Sequence, residues 1–231
     1  MKRIVEPELL DELPADDPHA RRSRQDLRRV NFLMANAGLL ARELEKLPPQ
    51  NPPLKIVELG AGDGHGLLQV AQRLGRGQKF EATLLDRQDL VTDQTRHAFA
   101  AANWSIQTVT ADVFDFLGDG ARDCDVMVAN LFVHHFEGPH LERLLRGIAG
   151  RTRRFIAVEP RRAAWPLFCS RLLGLIGCNI VTRHDAVVSV RAGFRDQELS
   201  ALWPEPEKWN LSERAAGQFS HLFIAERKGQ G

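Results

Sequence analysis

Two constellations in this chain of 231 residues have types and spacing that could do chemistry. The first is Glu58, two positions ahead of a turn with glycine at every second place, Gly60-Ala61-Gly62-Asp63-Gly64. Lacking a Cβ, such a turn bends sharply and lets the backbone approach a ligand, and the free N–H groups of a helix starting there face that ligand. The second is the adjacent pair His134-His135, which follows the apolar run Asp125–Phe132. A histidine with an ordinary pKa of about 6.5 is suited to take a proton from an oxygen, nitrogen or carbon nucleophile near neutral pH. Asp86 and Asp112 add carboxylates just past two further extended runs, Lys79–Asp86 and Ser105–Thr110. Each feature also has a plain structural use: a glycine turn that binds nothing, an aspartate capping the next helix, a histidine filling space.

The glycine spacing narrows the ligand. A nicotinamide site has G-x-G-x-x-G after a strand, and the sixth position counted from Gly60 is His65. A carboxylate at Glu58 suits a cationic group better than a pyrophosphate, and S-adenosylmethionine (SAM) carries both an ammonium and a sulfonium. Val57-Glu58-Leu59-Gly60-Ala61-Gly62-Asp63-Gly64 resembles the first motif of the class I SAM-dependent methyltransferases. The resemblance covers about residues 22–227. It implies an α/β, Rossmann-like class I fold: a seven-stranded, mostly parallel sheet with an antiparallel hairpin at the carboxyl end and a helical cap at the amino end. It implies SAM as cofactor, a small-molecule acceptor and no metal. The residues expected around the cofactor are Glu58, Gly60, Ala61 and Gly62 at the methionine part, and Asp86 with Arg87 at the ribose. Asp112 with Val113 is expected at the adenine, and Asn130 toward the sulfonium.

Methyl transfer from a sulfonium is an in-line displacement, so the protein chiefly holds nucleophile and methyl at near-attack distance. His134 and His135 are the candidates for a base. On an extended strand they point to opposite sides and only one can face the acceptor; if the chain has turned, both can line the pocket. Asn130-Leu131-Phe132-Val133-His134-His135-Phe136, with the run from Arg183-His184-Asp185 to Arg191, resembles a bacterial subgroup associated with type III polyketide synthases or quinone pathways. That likeness implies a small aromatic, phenolic or polyketide-like acceptor, O- rather than C-methylation, and secondary metabolism. Glu159-Pro160-Arg161 departs from the Asp-Leu found in many members. Two other readings stay open: a SAM-binding protein without catalysis, and a nicotinamide-dependent oxidoreductase. The second lacks both the glycine spacing and any tyrosine for a Tyr-Lys pair.

The elements that must position these groups read as alternating strands and helices. Leu54–Leu59 is an apolar strand ahead of the glycine turn, and Leu67, Leu68, Val70, Ala71 and Leu74 recur at helical spacing behind it. Arg154–Val158 reads as the fifth strand, residues 163–177 as an apolar helix or greasy substrate wall, and Asp196–Trp203 as a helix stopped by Pro204. Lys208–Ala216 and His221–Arg227 read as a closing hairpin. Residues 1–50 are read as tail and cap, with 1–20 loose on the surface and Ser23–Leu47 helical but broken near Asn36-Ala37-Gly38. Residues 51–231 are read as the SAM-binding domain. The net charge of +1 gives no pull toward nucleic acid, and the basic residues from Arg21 to Arg29 read as a solvated helix face. Three widely spaced cysteines suggest reduced thiols, the lead-in carries no apolar signal region, and no apolar stretch reaches the length of a membrane span. A cytoplasmic protein is the expectation.

Overall fold

The computed structural model describes residues 1–14, 16–48, 52–75, 79–118 and 124–229. The boundary expected at residues 50 and 51 lies outside the described residues. Seven strands form one sheet in the order β3-β2-β1-β4-β5-β7-β6. They are β1 (Leu54–Leu59), β2 (Phe80–Asp86), β3 (Ser105–Thr110), β4 (Cys124–Asn130), β5 (Thr152–Pro160), β6 (Trp209–Ala216) and β7 (Ser220–Arg227). The first five are parallel; β7 enters antiparallel against β5, and β6 closes the edge beside it. The central strands are buried on both faces, as a sheet covered by helices on both sides requires.

Alternate side chains feed two cores. Ile56, Val126, Val128, Ile156 and Val158 face one layer, with Leu40, Leu44, Leu67 and Phe99. Those four come from α3 (Asn36–Leu44), α4 (His65–Leu74) and α5 (Asp93–Ala101). Val57, Leu59, Met127, Ala129, Phe155 and Ala157 face the other, packed by α7 (Gly138–Arg151) and α10 (Glu198–Leu202). The short α6 (Val113–Gly118) adds Val113 and Leu117 to that side. Thus α3 is a core helix rather than part of a detachable cap.

The amino-terminal helices break one residue before the expected Asn36: α2 (Pro18–Met34) ends at Ala35, whose φ of 58° turns the chain into α3. Residues 1–20, expected to lie loosely, are tied down. The short α1 (Leu9–Glu12) is capped by Asp185, whose carboxylate accepts the N–H groups of Leu9 (2.9 Å) and Leu10 (3.0 Å). Arg3 donates to the carbonyls of Ala192, His134 and Phe136 at 2.7, 3.0 and 2.8 Å. The run from Arg183-His184-Asp185 through Val190 belongs to α9 (Ile180–Ala192), which carries these anchors. The expected helix over 163–177 is shorter. It is α8 (Ala164–Arg171) followed by a 3-10 turn at Leu173–Ile176, which stops at Gly177 with φ 78°. Arg162 is buried and donates to the Gly193 carbonyl at 3.0 Å. In the basic run, Arg28 stays exposed, as expected, and pairs with Asp63, its Nε 3.0 Å from Oδ2.

Candidate active site

A cleft of about 690 Å³ opens at the carboxyl ends of β1, β2 and β4, where the strand order reverses direction between β1 and β4. Open parallel sheets bind ligands at such a reversal. Glu58, Gly60, Ala61, Gly62, Asp86, Arg87, Asp112, Val113, Asn130, His134 and His135 all line this cleft, so the structure brings every sequence-derived candidate together. Leu27, Arg28 and Asn31 of α2 and the stretch from Val5 to Glu12 complete its wall; α8 lies elsewhere, so the greasy segment is no substrate wall here.

The glycine turn has the geometry its sequence asked for. Gly60, Gly62 and Gly64 have φ of 67°, 56° and 75°, a region that side chains with a Cβ rarely adopt. A Cβ on Gly60 would lie 2.2 Å from the Phe132 ring, so Phe132 sits directly on the turn. A Cβ on Gly62 would meet nothing within 4 Å, which leaves that backbone open to the cleft. Asp86 organises the turn from β2: its Oδ2 accepts the Gly62 N–H at 2.8 Å and its Oδ1 the Gln88 N–H at 2.9 Å. Each oxygen keeps a second lone pair for a ligand hydroxyl. Asp112 is exposed at the end of β3, with Oδ1 accepting the Phe114 N–H at 2.8 Å. Val113 beside it is a buried wall. Arg87 reaches out over the rim, 3.9 Å from Asp11.

Glu58 is 2% exposed, and its Oε2 has no hydrogen-bond partner among the described residues. Burial, then the negative charges of Asp63 and Asp86, push its carboxyl well above the ordinary carboxylate range. Asn31 Oδ1 is a second buried acceptor without a partner on the cleft wall. Buried polar atoms are normally satisfied, so two orphan acceptors beside an open glycine turn fit a ligand that brings N–H donors and positive charge. The methionine ammonium of SAM is such a group. Asn130 is held from behind: Ser220 Oγ donates to Asn36 Oδ1 at 2.6 Å, and Asn36 Nδ2 donates to Asn130 Oδ1 at 3.0 Å. A Cβ on Gly66 would lie 3.1 Å from Asn130 Nδ2 and 3.5 Å from Glu58 Oε1, so that glycine admits both side chains to the same corner.

Beyond Asn130 the chain turns. Leu131 takes φ 58°, and Val133–His135 form one 3-10 turn, so both histidines line the cleft, with ring centroids 4.3 Å apart. Glu159, fully buried on β5, fixes this turn: it accepts the N–H groups of Phe132 (3.1 Å), Val133 (2.9 Å) and His134 (3.3 Å). The same carboxylate lies 2.8 Å from His134 Nδ1, and Glu8 lies 3.2 Å from Nε2. Burial opposes charge on His134, yet the hydrogen bonds and charges of Glu159 and Glu8 outweigh it and hold the imidazole at about 9. Burial likewise opposes charge on Glu8, and His134 pulls it down to about 2. His135 differs. Burial and the neighbouring His134 cation lower its pKa, and its Nδ1 lies 3.5 Å from Asp11. His134 is therefore a clamped cation and His135 a neutral imidazole at pH 7.

Glu8, Asp11, Asn31, Asn36 and Glu159 are the site groups that sequence reasoning missed. Pro7 ahead of Leu9-Leu10 was the one local sign of a helix start near the first two. One ligand atom from each of Glu8, His134 and His135 fits within 4.8 Å, a spacing that could close on a metal. With both nitrogens of His134 paired, the two carboxylates are also neutralised without one.

Residues 56–154 match the family described as "Methyltransferase domain". No curated protein matches the sequence. Among solved structures, the plantazolicin methyltransferase BpumL in complex with SAH is similar over 92% of both chains, at 14% identity and a TM-score of 0.63. The mitomycin 7-O-methyltransferase MmcR is 21% identical, covering 94% of this chain and 60% of that one, at a TM-score of 0.59. The CMeT domain of the citrinin polyketide synthase is 17% identical, covering 91% of this chain and 57% of that one, also at 0.59. The domain match weighs against the nicotinamide reading. With its strand order, its cation-ready corner and a methyltransferase-domain match over residues 56–154, the chain has the fold of the class I SAM-dependent methyltransferases.

Proposed function

We propose that this enzyme methylates an oxygen of a small aromatic, phenolic or polyketide-like acceptor, with His135 as the base. The carrying observation is a neutral, partly exposed imidazole at the rim of a phenylalanine-lined pocket. Phe132 and Phe136 meet edge to face at 5.2 Å, Phe114 and Phe136 at 5.5 Å, and His135 lies 6.4 Å from Phe132. Aromatic faces and edges of this kind suit a planar acceptor. Relatives named for 7-O-methylation of mitomycin and for a polyketide synthase domain support the acceptor class.

In this reading SAM, when bound, supplies a methyl group already activated by the positive sulfur. Glu58 and Asn31 take the ammonium, Gly60, Ala61 and Gly62 leave room for the methionine chain, and Asn130 flanks its far end. Asp86 and Arg87 meet the ribose edge, and Asp112 and Val113 meet the adenine. His134, clamped as a cation by Glu159 and Glu8, keeps the neighbouring His135 uncharged; Asp11 orients its ring. His135 takes the acceptor hydroxyl proton as the oxygen gains its new bond. The amino-terminal 50 residues contribute a wall and a core helix, and α1 with α2 excludes water from the acceptor. The thiols of Cys169 and Cys178, in no disulfide, support a reducing, cytoplasmic setting, and the proposed acceptor class supports a role in secondary metabolism.

The test is His135→Ala with a panel of phenols. A phenol of pKa about 10 is mostly neutral at pH 7, so loss of the base lowers kcat by about 10²–10⁴-fold with SAH affinity unchanged. The deficit shrinks as ring substituents acidify the phenol. Nearly full kcat in that variant, on every phenol, would remove His135 as the base.

A further inference from the structure

Among the described residues, six of the twelve exposed large apolar side chains fall between Trp165 and Ile180, away from the cleft, on α8, the turn Leu173–Ile176 and the start of α9 (the tip). Trp165 and Phe168 stand side by side there, ring centroids 5.8 Å apart, and Leu175 and Ile180 are 82% and 67% exposed. Leu172 and Ile176, between them in the sequence, are also exposed. Monomeric soluble proteins rarely leave a contiguous apolar surface of this kind without a partner.

The segment itself carries charge of one sign. From Pro160 to His184 the sequence contains no aspartate or glutamate, and it contains Arg161, Arg162, Arg171 and Arg183. Arg171 and Arg183 have no ion-pair partner among the described residues. Arg183 lies against the turn, since a Cβ on Gly174 would be 3.0 Å from its Nε. From α2, Arg22 reaches the carbonyl of Gly177 at 3.4 Å. Beside the tip, a groove of about 500 Å³ is lined by Ala163, Leu167, Phe168, Arg171 and Arg195, the last paired with Asp196 at 3.3 Å. Exposed apolar side chains on this segment, beside Arg171 and Arg183 and with no acid between Pro160 and His184 in the sequence, match the two requirements of an interfacial anchor: insertion among acyl chains and attraction to lipid phosphates.

We propose that the Ala164–Ile180 tip docks on an anionic phospholipid bilayer, with Trp165, Phe168, Leu175 and Ile180 entering the interface and Arg171 and Arg183 meeting headgroup phosphates. None of these residues lines the cleft, so the docking surface is separate from the methyl-transfer site.

Trp165 supplies a direct readout. The other tryptophans, Trp104, Trp203 and Trp209, are 2–3% exposed, whereas Trp165 is 54% exposed. The full chain is mixed with vesicles of phosphatidylcholine alone, or with about 30% phosphatidylglycerol added. The expected result is co-sedimentation with the anionic vesicles at low salt, weakened by added salt, and a blue shift of emission that Trp165→Phe removes. Leu175→Asp with Ile180→Asp abolishes binding. Arg171→Glu with Arg183→Glu weakens it at least about 25-fold, taking roughly fivefold per arginine. Unchanged far-ultraviolet dichroism and SAH affinity establish that the variants are folded. Absence of binding to anionic vesicles at low salt overturns the proposal, as does undiminished binding by the aspartate variant. A dimer that the aspartate variant loses, without vesicle binding by the parent, also overturns it and assigns the tip to a second copy of the chain.

Discussion

Replacing Glu58 with glutamine separates what this carboxylate does for the ligand from what it does to the fold. Its side chain is almost fully buried, with Oε2 unpartnered, and burial with the charges of Asp63 and Asp86 favours the protonated form. A bound ammonium favours the anion instead. Ligand binding below the empty-cleft pKa therefore releases up to one proton, and affinity climbs by up to about tenfold per pH unit. Glutamine keeps the shape and removes the charge. Losing a charge-assisted hydrogen bond costs about 1.5–3 kcal/mol, which weakens SAH binding roughly 10- to 150-fold and flattens its pH dependence. Stability moves the other way. A carboxyl whose pKa is raised by folding contributes most below its unfolded value, and that contribution is lost as pH rises through the folded value. The ligand-free Glu58→Gln variant should therefore melt above the parent at about pH 8, with the gap closing toward about pH 5. Calorimetry in buffers of different ionisation enthalpy counts the released proton, and thermal melts give the second term. Wild-type SAH affinity in the variant, or proton uptake by the parent, would refute the reasoning.

Three further outcomes follow from other parts of the site. Gly62→Ala should cost the empty protein about 1–2 kcal/mol for its left-handed φ and, because its methyl points into the open cleft, also weaken SAH binding; unchanged SAH affinity in a folded variant would put the ligand away from the turn. His134, raised to about 9, stabilises the docked amino-terminal segment fully below its unfolded pKa, and that stabilisation is lost as pH rises through about 9. Glu8, lowered to about 2, contributes above the ordinary carboxylate range and is lost as pH falls through about 2. Amide exchange over residues 1–12, corrected for intrinsic rates, should thus lose protection on the alkaline side near 9 and hold through the mid-range. Methyl transfer should survive a strong chelator; loss of activity restored by a divalent ion would make Glu8, His134 and His135 metal ligands.

The sheet was legible because its strands are short apolar runs set between glycine, proline and polar breaks. Ser105–Thr110 has the bounds its sequence pattern indicates, and the hairpin differs by a residue at each strand start. The glycine turn was legible for a local reason too, since alternate glycines have few other uses. What stayed hidden depends on distant partners. Glu8 meets His134 across 126 positions, and Asp185 caps α1 across 176, so neither pairing leaves a local pattern. α9 has weak periodicity because it buries residues against several neighbours at once, from Val181 and Thr182 through Val190 and Ala192. α8 was misplaced for the opposite reason: its apolar residues imply a buried wall, and the fold leaves Trp165 and Phe168 in the open. Glu159 looked like a departure from a family pattern, and its meaning became visible only with the three N–H groups it accepts.

The anchoring of the first dozen residues has a consequence for the order of assembly. Their partners lie at His134, Phe136, Asp185, Ser189, Arg191 and Ala192. Synthesis runs from the amino end, and contacts of long sequence separation form late. The segment made early must therefore wait, unpaired, until α9 has left the ribosome. The glycine turn, Asp86 and Asp112 are by then already made. The glycine turn and its carboxylates thus precede the partners that dock the amino-terminal wall of the cleft, and that wall is set only once α9 is made.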